Sequence, residues 1–586
     1  MIYRIYSDLP TFKNLELHAG LNILLSTKSP DATDQHTRNR AGKSSLIEII
    51  HLLTGADVHK DSLFKVGELV LQSFGMEFDL GGERVTVERS GFNPNDIKII
   101  EPIPTHLPLQ PKFNSDLGVS TFTNTQWKNV LGNLIFNLPL NSKKQLGIYA
   151  PTFRSLFAYF VRREKSNAFI SAFSQSNEQK LWDQQVAISY LIGLDWTIPQ
   201  QWQNVRDKEN ALIQLRRAAK KGSLGRVIST TAKLRTELAV AEKKVQRLKD
   251  NLESFQVLPE YRELEQEASR IVRQQSRLSN DDVIDNQLMD ELTQAIGGET
   301  EPALDKLERL YTEVGIVLPD AVIRRFEDVQ EFHKSVVQNR RSYLQGEIDS
   351  ARKRLEDREQ ERQLLSSRHT EIMEILNSHG ALDQYNQLNS ELSRLEGEAE
   401  TIRQQFALAE RLESQKAELD AERSQLLLRL QQDYKEQNEL LTEAIVTFEE
   451  ISAALYEKPG SLTIAPSRNG PKFDINIQGA SSTGISSMQI FCFDMMLMQM
   501  SKKSNLNPNF LVHDSRIFDG VDGRQVIKAL EIGAELSKKH GFQYIVTMNS
   551  DDLSEEISSG FSVDDYILPI ELTDATEDGG LFGIRF

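Results

Sequence analysis

Between residues 201 and 450 proline almost disappears, and apolar residues recur in alternating steps of four and three. Leu234, Leu238, Ala241, Val245, Leu248, Leu252 and Phe255 form one such run. Leu344, Ile348, Ala351 and Leu355 form a second, and Leu388, Leu392, Leu395, Ala399, Ile402, Phe406 and Ala409 a third. Heptad spacing keeps one apolar stripe facing a partner helix, so this region reads as coiled-coil arms. Two stretches interrupt the pattern. The first, near 280–320, carries Gly297-Gly298, Pro302, Gly315 and Pro319; the second, near 377–387, carries Ser378-His379-Gly380. One or both must reverse the chain so that the arms pair antiparallel. The helix from about 323 to 376 would span roughly 80 Å at 1.5 Å per residue, and Pro259 should end a helix or bend the outgoing arm.

The flanking regions, 1–200 and 451–586, are globular in composition. Phe74, Met76, Phe78 and Leu80 alternate up to Gly81-Gly82, and Val85 and Val87 alternate after it, which is a hairpin pattern. The stretch 92–117 is rich in Pro and Asn and reads as irregular; helical runs follow at Thr152–Arg163 and Leu181–Leu194. After 451, strands are expected around Leu462 and Ile464, at Phe473, Ile475 and Ile477, at Phe510-Leu511-Val512 and at Tyr544-Ile545-Val546. The apolar run Met488–Met500 and the pattern Arg524–Lys539 read as helices.

One motif ties these ends to chemistry. Leu21–Leu25 is strand-like, Leu46–Leu53 is helix-like, and Asn39-Arg40-Ala41-Gly42-Lys43-Ser44-Ser45 lies between them. Strand, loop and helix in that order form a phosphate-binding loop: backbone N–H groups and the helix N-terminus cradle an anion. Lys43 would reach the β- and γ-phosphates of ATP, and the Ser44 hydroxyl would ligate Mg²⁺. Two of the customary glycines are replaced, by Thr37 and Arg40. The single cysteine, Cys492, excludes an internal disulfide and points to a reducing, cytoplasmic setting. No apolar run reaches the ~18 residues of a membrane span, and Met1–Pro10 lacks the form of a signal peptide. The net charge of −17 argues against indiscriminate coating of nucleic acid.

A phosphate loop near one end, arms in the middle and the acid-tipped strand Phe510–Asp514 near the other resemble the SMC-like ABC ATPases, which include RecN and RecF. Closest is a bacterial family found in three-component ABC systems suspected of anti-phage defence, on Gly484–Asp494, Val512-His513-Asp514-Ser515 and Gln543–Asp551. The resemblance implies an α/β ABC-type head assembled from the N- and C-terminal parts, with a long antiparallel coiled-coil insertion. It implies that Asp514 holds Mg²⁺ together with Ser44. It also implies that Ser482-Thr483-Gly484 stands for the signature that closes, in a dimer, over the partner's γ-phosphate. Asp522 resembles the D-loop aspartate. Asn549 occupies the place of the switch histidine, with Thr547 and Met548 before it, and Gln175 is the choice for the glutamine lid. Where the family places a glutamate after the Walker B aspartate, this chain has Ser515, which cannot act as a base at neutral pH. Asp519, Asp522 or His513 substitutes, or hydrolysis is slow and ATP acts as a dimerisation switch.

The implied function is an ATPase whose two heads sandwich two ATP–Mg²⁺, grip or sense DNA, and control a partner protein such as a nuclease effector. Arg162, Arg163, Arg216, Arg217, Lys220 and Lys221 form a basic set near the root of the first arm that would suit DNA phosphates; the same residues would equally form a solvated helix face. Housekeeping DNA repair or chromosome organisation, and a scaffold with a decayed nucleotide site, are the alternatives.

Overall fold

The computed structural model describes residues 1–27, 42–115, 117–140, 145–221, 230–253, 259–298, 320–376, 382–477, 483–553, 561–574, 576 and 578–584. Met1–Asn204 and Arg423–Phe586 fall in one compact unit, and Val205–Leu310 and Asp328–Glu422 in a second. The chain begins with β1 (Ile2–Ser7), β2 (Leu15–Glu16) and β3 (Leu21–Ser26), then enters α1 (Lys43–Leu53). Every residue of β3 is buried, as expected of a strand covered on both faces. Next come β4 (Ser73–Leu80), β5 (Glu83–Ser90), β6 (Asp96–Ile100), β7 (Lys112–Asn114) and β8 (Val119–Thr123). They join β1 and β2 in an antiparallel sheet ordered β2-β1-β4-β5-β6-β8-β7. The β4–β5 hairpin turns at Gly81 and Gly82, whose φ values of 62° and 88° suit only glycine in so tight a turn. Strand β6 lies inside the stretch expected to be irregular: Ile97 and Ile99 face the core, alternating with the less buried Asp96, Lys98 and Ile100. Three helices follow, α2 (Asn124–Phe136), α3 (Phe153–Phe157) and α4 (Leu181–Leu191).

The second unit holds most of the long helices. These are α5 (Thr197–Lys221), α6 (Thr231–Glu253), α7 (Pro259–Gly298), α8 (Asp320–Leu376) and α9 (Leu382–Glu436). Residue numbers on α9 fall as those on α6 rise: Thr231 bonds Glu413 at 2.6 Å, Glu242 bonds Arg403 at 2.8 Å, and Lys249 pairs with Glu396 at 2.7 Å. That pairing is antiparallel, and Val245, Leu392 and Ala399 are buried along its seam. Helix α7 instead runs parallel to α9, with Ser269 bonded to Asn389 at 3.0 Å and Asn280 against Gly397. Helix α8 runs antiparallel to α7, through Glu267–Arg368 at 2.8 Å and Asp285–Arg354 at 2.5 Å. The chain direction thus differs before Gly298 and after Asp320, and again before Leu376 and after Leu382; residues 280–298 and 382–387 of the two expected interruptions are helical, in α7 and α9, and residues 299–319 and 377–381 lie outside the described residues. The direction also differs before Glu253 and after Pro259. Pro259 does not end or bend a helix; it opens α7, where a missing N–H costs nothing.

The C-terminal part returns to the first unit with α10 (Asn438–Leu455), β9 (Ser461–Ser467), β10 (Gly470–Asn476) and α11 (Thr483–Lys503). Helix α11 is buried almost all round, including Met488, Met495, Met496, Met498 and Met500. Then β11 (Phe510–His513), α12 (Gly523–His540) and β12 (Gln543–Asn549) complete a parallel sheet in the order β11-β12-β3. Thus a strand from residue 21 onward pairs with one that ends at residue 549, Asn549 lying opposite Ser26. Val161 adds a parallel bridge to Val512 on the far side of β11. No described helix is long and apolar enough to cross a membrane.

Candidate functional site

Because β3, β11 and β12 are parallel, their carboxyl ends lie on one edge of the sheet, which is where open α/β sheets bind ligands. The segment that follows β3 enters α1 through Gly42, whose φ is 87°. A Cβ there would also press on Leu581 at 2.9 Å, so both conformation and space demand glycine. Lys43 is the first residue of α1 and is buried; its Nζ donates to the Asn549 side-chain oxygen at the end of β12. Asn549 is held by Asp552, whose carboxylate accepts from its backbone N–H and side-chain amide, both at 3.1 Å. Ser44 and Ser45 follow on α1, partly exposed.

Asp514 stands at the end of β11, 1% exposed. Its Oδ1 accepts from Ser515 Oγ at 3.1 Å. Its Oδ2 is buried with no hydrogen-bond partner among the described residues. Burial pushes its pKa up, and the adjacent Ser44 hydroxyl opposes that by favouring the carboxylate. A buried carboxylate oxygen without a partner, beside a serine hydroxyl, fits a hard cation, which takes oxygen ligands. Ser44 and Asp514 would hold Mg²⁺, which when bound neutralises charge on the β- and γ-phosphates.

Immediately behind this edge lies a fully buried polar cluster. Arg162 forks onto Asp494 of α11, both N–O distances being 2.6 Å. Its remaining donors go to the carbonyls of Ala168, Ala172 and Ser174 at 2.7–2.8 Å. His513 Nε2 donates to Asp494 Oδ2 at 3.1 Å, and Tyr544 donates its hydroxyl to His513 Nδ1 at 3.0 Å. Burial lowers the His513 pKa, in keeping with a neutral ring that donates once and accepts once. Next to it, Arg163 Nε bonds Glu48 of α1 at 3.0 Å. Burial would raise the Glu48 pKa, but Arg163 outweighs it and holds the carboxyl low.

The assignment of Arg162 and Arg163 to a DNA-facing patch is therefore corrected. They are 0% and 3% exposed, and their guanidinium groups are committed to Asp494 and Glu48 inside the head. Arg217 is exposed, while the side chains of Arg216, Lys220 and Lys221 lie outside the described residues. So do Asn39, Arg40, Ala41 and Ser482. Gly484, near the start of α11, is buried against the loop before α12, and a Cβ on it would collide with the Gly520 carbonyl oxygen. Asp522 caps α12, accepting from Arg524 N at 3.0 Å and Arg524 Nε at 3.1 Å. Gln175 is buried. The expected helix Thr152–Arg163 stops at Phe157; Ala158–Phe160 make a hydrogen-bonded turn and Val161 bridges β11, which lets Arg162 enter the core. The Arg162–Glu164 segment escaped sequence reasoning for that reason. Its signal was the abrupt change from Phe157–Val161 to Arg-Arg-Glu-Lys.

The order along the chain, β3 before Gly42-Lys43-Ser44, then antiparallel helices, then an acid after β11, is the order expected from the resemblance to SMC-like ABC ATPases. More particularly, residues 287–413 match the family model of C-terminal domain 10 of the ABC-three component (ABC-3C) systems, across the end of α7, all of α8 and the first part of α9. Residues 451–586 match the model described as an uncharacterised protein conserved in bacteria. No curated protein matches the chain. Among solved structures, the Smc head domain with a coiled coil and joint from Pyrococcus yayanosii is 13% identical, with 99% of this chain and 96% of that chain covered, at a TM-score of 0.36. The Smc head domain with an extended coiled coil from Pyrococcus furiosus, bound to the C-terminal domain of ScpA, is 10% identical over 94% and 90%, at 0.34. The recombination mediator protein RecF of the RecFOR pathway is 10% identical over 97% of each chain, at 0.29.

Proposed function

We propose that the chain is an ATPase that binds ATP–Mg²⁺ at the β3–β11–β12 edge and dimerises through its heads. The observation that carries this is the convergence of Lys43 and Ser44, on the helix after β3, with Asp514 and Asn549, at the ends of two strands far along the chain. Lys43 and the N-terminus of α1 supply positive charge to the β- and γ-phosphates. Asn549, already on Lys43, offers a neutral amide for the γ-phosphate. Ser44 and Asp514 hold Mg²⁺. Catalysis is positioning and charge stabilisation, with little covalent chemistry asked of the protein. Ser482 and Gly484 are assigned to the partner's γ-phosphate in the dimer, and Asp522 to the facing head.

The match to a domain of ABC-3C systems supports a place among interacting components, and we infer DNA as the signal and an effector such as a nuclease as the output, in anti-phage defence. Arg217 with Arg216, Lys220 and Lys221 is the DNA-contacting set retained. Titration with ATP–Mg²⁺, and light scattering with and without linear DNA, tests the proposal. Wild type should bind and dimerise, and Lys43→Ala should do neither. Equal binding by Lys43→Ala ends the site assignment.

A further inference from the structure

We propose that Glu164 supplies the carboxylate that orients the attacking water, in place of the glutamate absent at position 515. The proposal rests on the ATPase function proposed above. Val161 bridges Val512 in parallel, and Val512 N donates to Phe160 O at 2.8 Å. One residue on, Arg162 lies beside His513, and the two segments then turn, Glu164 opening a 3-10 turn (Glu164–Ser166) and Ser515 another (Ser515–Phe518). The placement of Arg162 is borne out by chemistry, since Arg162 and His513 share Asp494. The two turns are joined by Arg516, the residue after Ser515, whose Nε and terminal nitrogen reach Glu164 Oε1 at 2.7 and 2.6 Å. The Glu164 charge is also among those that act on Asp514. A neighbouring segment thus brings a carboxylate to the flank of the position where the chain after β11 has only a hydroxyl.

His513 and Asp522, the other candidates near Ser515, are committed elsewhere. Both ring nitrogens of His513 are bonded and its side chain is 0% exposed. Asp522 caps α12. Asp519 shares Arg516 with Glu164, at 2.9 Å, and of the two it is the Glu164 charge that is seen to act on Asp514. Glu164 is 42% exposed, so water reaches it. In the step, the water oxygen gives an electron pair to the γ-phosphorus, and the bond from that phosphorus to the β,γ-bridging oxygen breaks. The bonding pair leaves with ADP. The water proton passes to Glu164 and returns to the phosphate product.

The test uses the full chain and the variants Glu164→Gln, Asp519→Asn and Lys43→Ala. Glu164→Gln should turn ATP over about 100-fold or more slowly, the scale of a lost general base, and bind ATP–Mg²⁺ within about threefold of wild type. Nucleotide recovered from its dimer should be ATP, where wild type yields ADP. Asp519→Asn should turn over within about threefold of wild type. Turnover by Glu164→Gln near the wild-type rate overturns the proposal, as does loss of ATP binding in that variant or a slow Asp519→Asn. Wild type that binds ATP–Mg²⁺ without turnover overturns it as well and leaves the binding site standing. Failure of wild type to bind ATP, or Lys43→Ala binding equally, instead sinks the parent proposal.

Discussion

Asp514 carries opposing demands. Its buried, unpartnered Oδ2 suits a cation and burdens the head without one. Asp514→Asn keeps the shape and removes the buried charge, so the nucleotide-free head should gain about 1–2 kcal/mol. The same variant should gain nothing from ATP–Mg²⁺, whereas wild type gains about 2.7 kcal/mol at a hundredfold excess over Kd. Urea unfolding followed by tryptophan fluorescence reads this cleanly, because Trp127, Trp182, Trp196 and Trp202 all lie in Met1–Asn204. A variant less stable than wild type without nucleotide would show that Asp514 is a structural acid. Arg162→Met should behave in the opposite sense. It strands Asp494 in a fully buried position, so the head should lose about 3–5 kcal/mol in the same measurement. A loss under about 1 kcal/mol would mean that His513 and Tyr544 suffice to hold that carboxylate.

At the level of elements, what the sequence disclosed follows from how local each signal is. The β4–β5 hairpin is written in alternation around Gly81-Gly82, and α12 in a periodic run between Asp522 and Gly541. The strand and helix on either side of the expected phosphate loop were legible, in Leu21–Leu25 and Leu46–Leu53, while most of the loop lies outside the described residues. The segment Ala158–Glu164 was not legible, because its conformation is set by β11, three hundred and fifty residues away in sequence. Arg162 and Arg163 looked like a surface patch because sequence gives charge without its partner. Asp494 and Glu48 could not be matched to them without the fold. Asp522 illustrates a residue with two claims on it. As cap of α12, it should cost about 1 kcal/mol when changed to alanine and little when changed to asparagine, which caps equally well. If it also acts across the dimer, Asp522→Asn should unfold like wild type yet dimerise more weakly with ATP, in paired urea and light-scattering measurements. Weakened dimerisation in the alanine variant alone would confine Asp522 to capping.

Across the whole chain, the heptads disclosed that helices pair, but not which ones. Leu392 and Ala399 form a seam with Val245, while Ser269 and Asn280 of α7 lie on the same stretch of α9 from another side. A stripe of apolar residues is satisfied by any partner. The choice is made by charged and polar pairs such as Asp285 with Arg354 and Arg358. Burial would raise the Asp285 pKa, but hydrogen bonds from the two arginines prevail and hold it below 3.8. A carboxyl whose folded pKa lies below its unfolded value contributes stability that is fully present above the unfolded pKa. That contribution is lost as pH falls through the folded one. Asp285→Asn should therefore weaken the α7–α8 pairing by about 1–2 kcal/mol at pH 7, between the values of exposed and buried pairs. The deficit should hold down to about pH 5 and close below the unfolded value of 3.8. Far-UV circular dichroism in urea follows the long helices, while tryptophan fluorescence on the same samples follows the head and should not move. A deficit unchanged at pH 3, or none at pH 7, would leave the apolar seam alone to choose the partners.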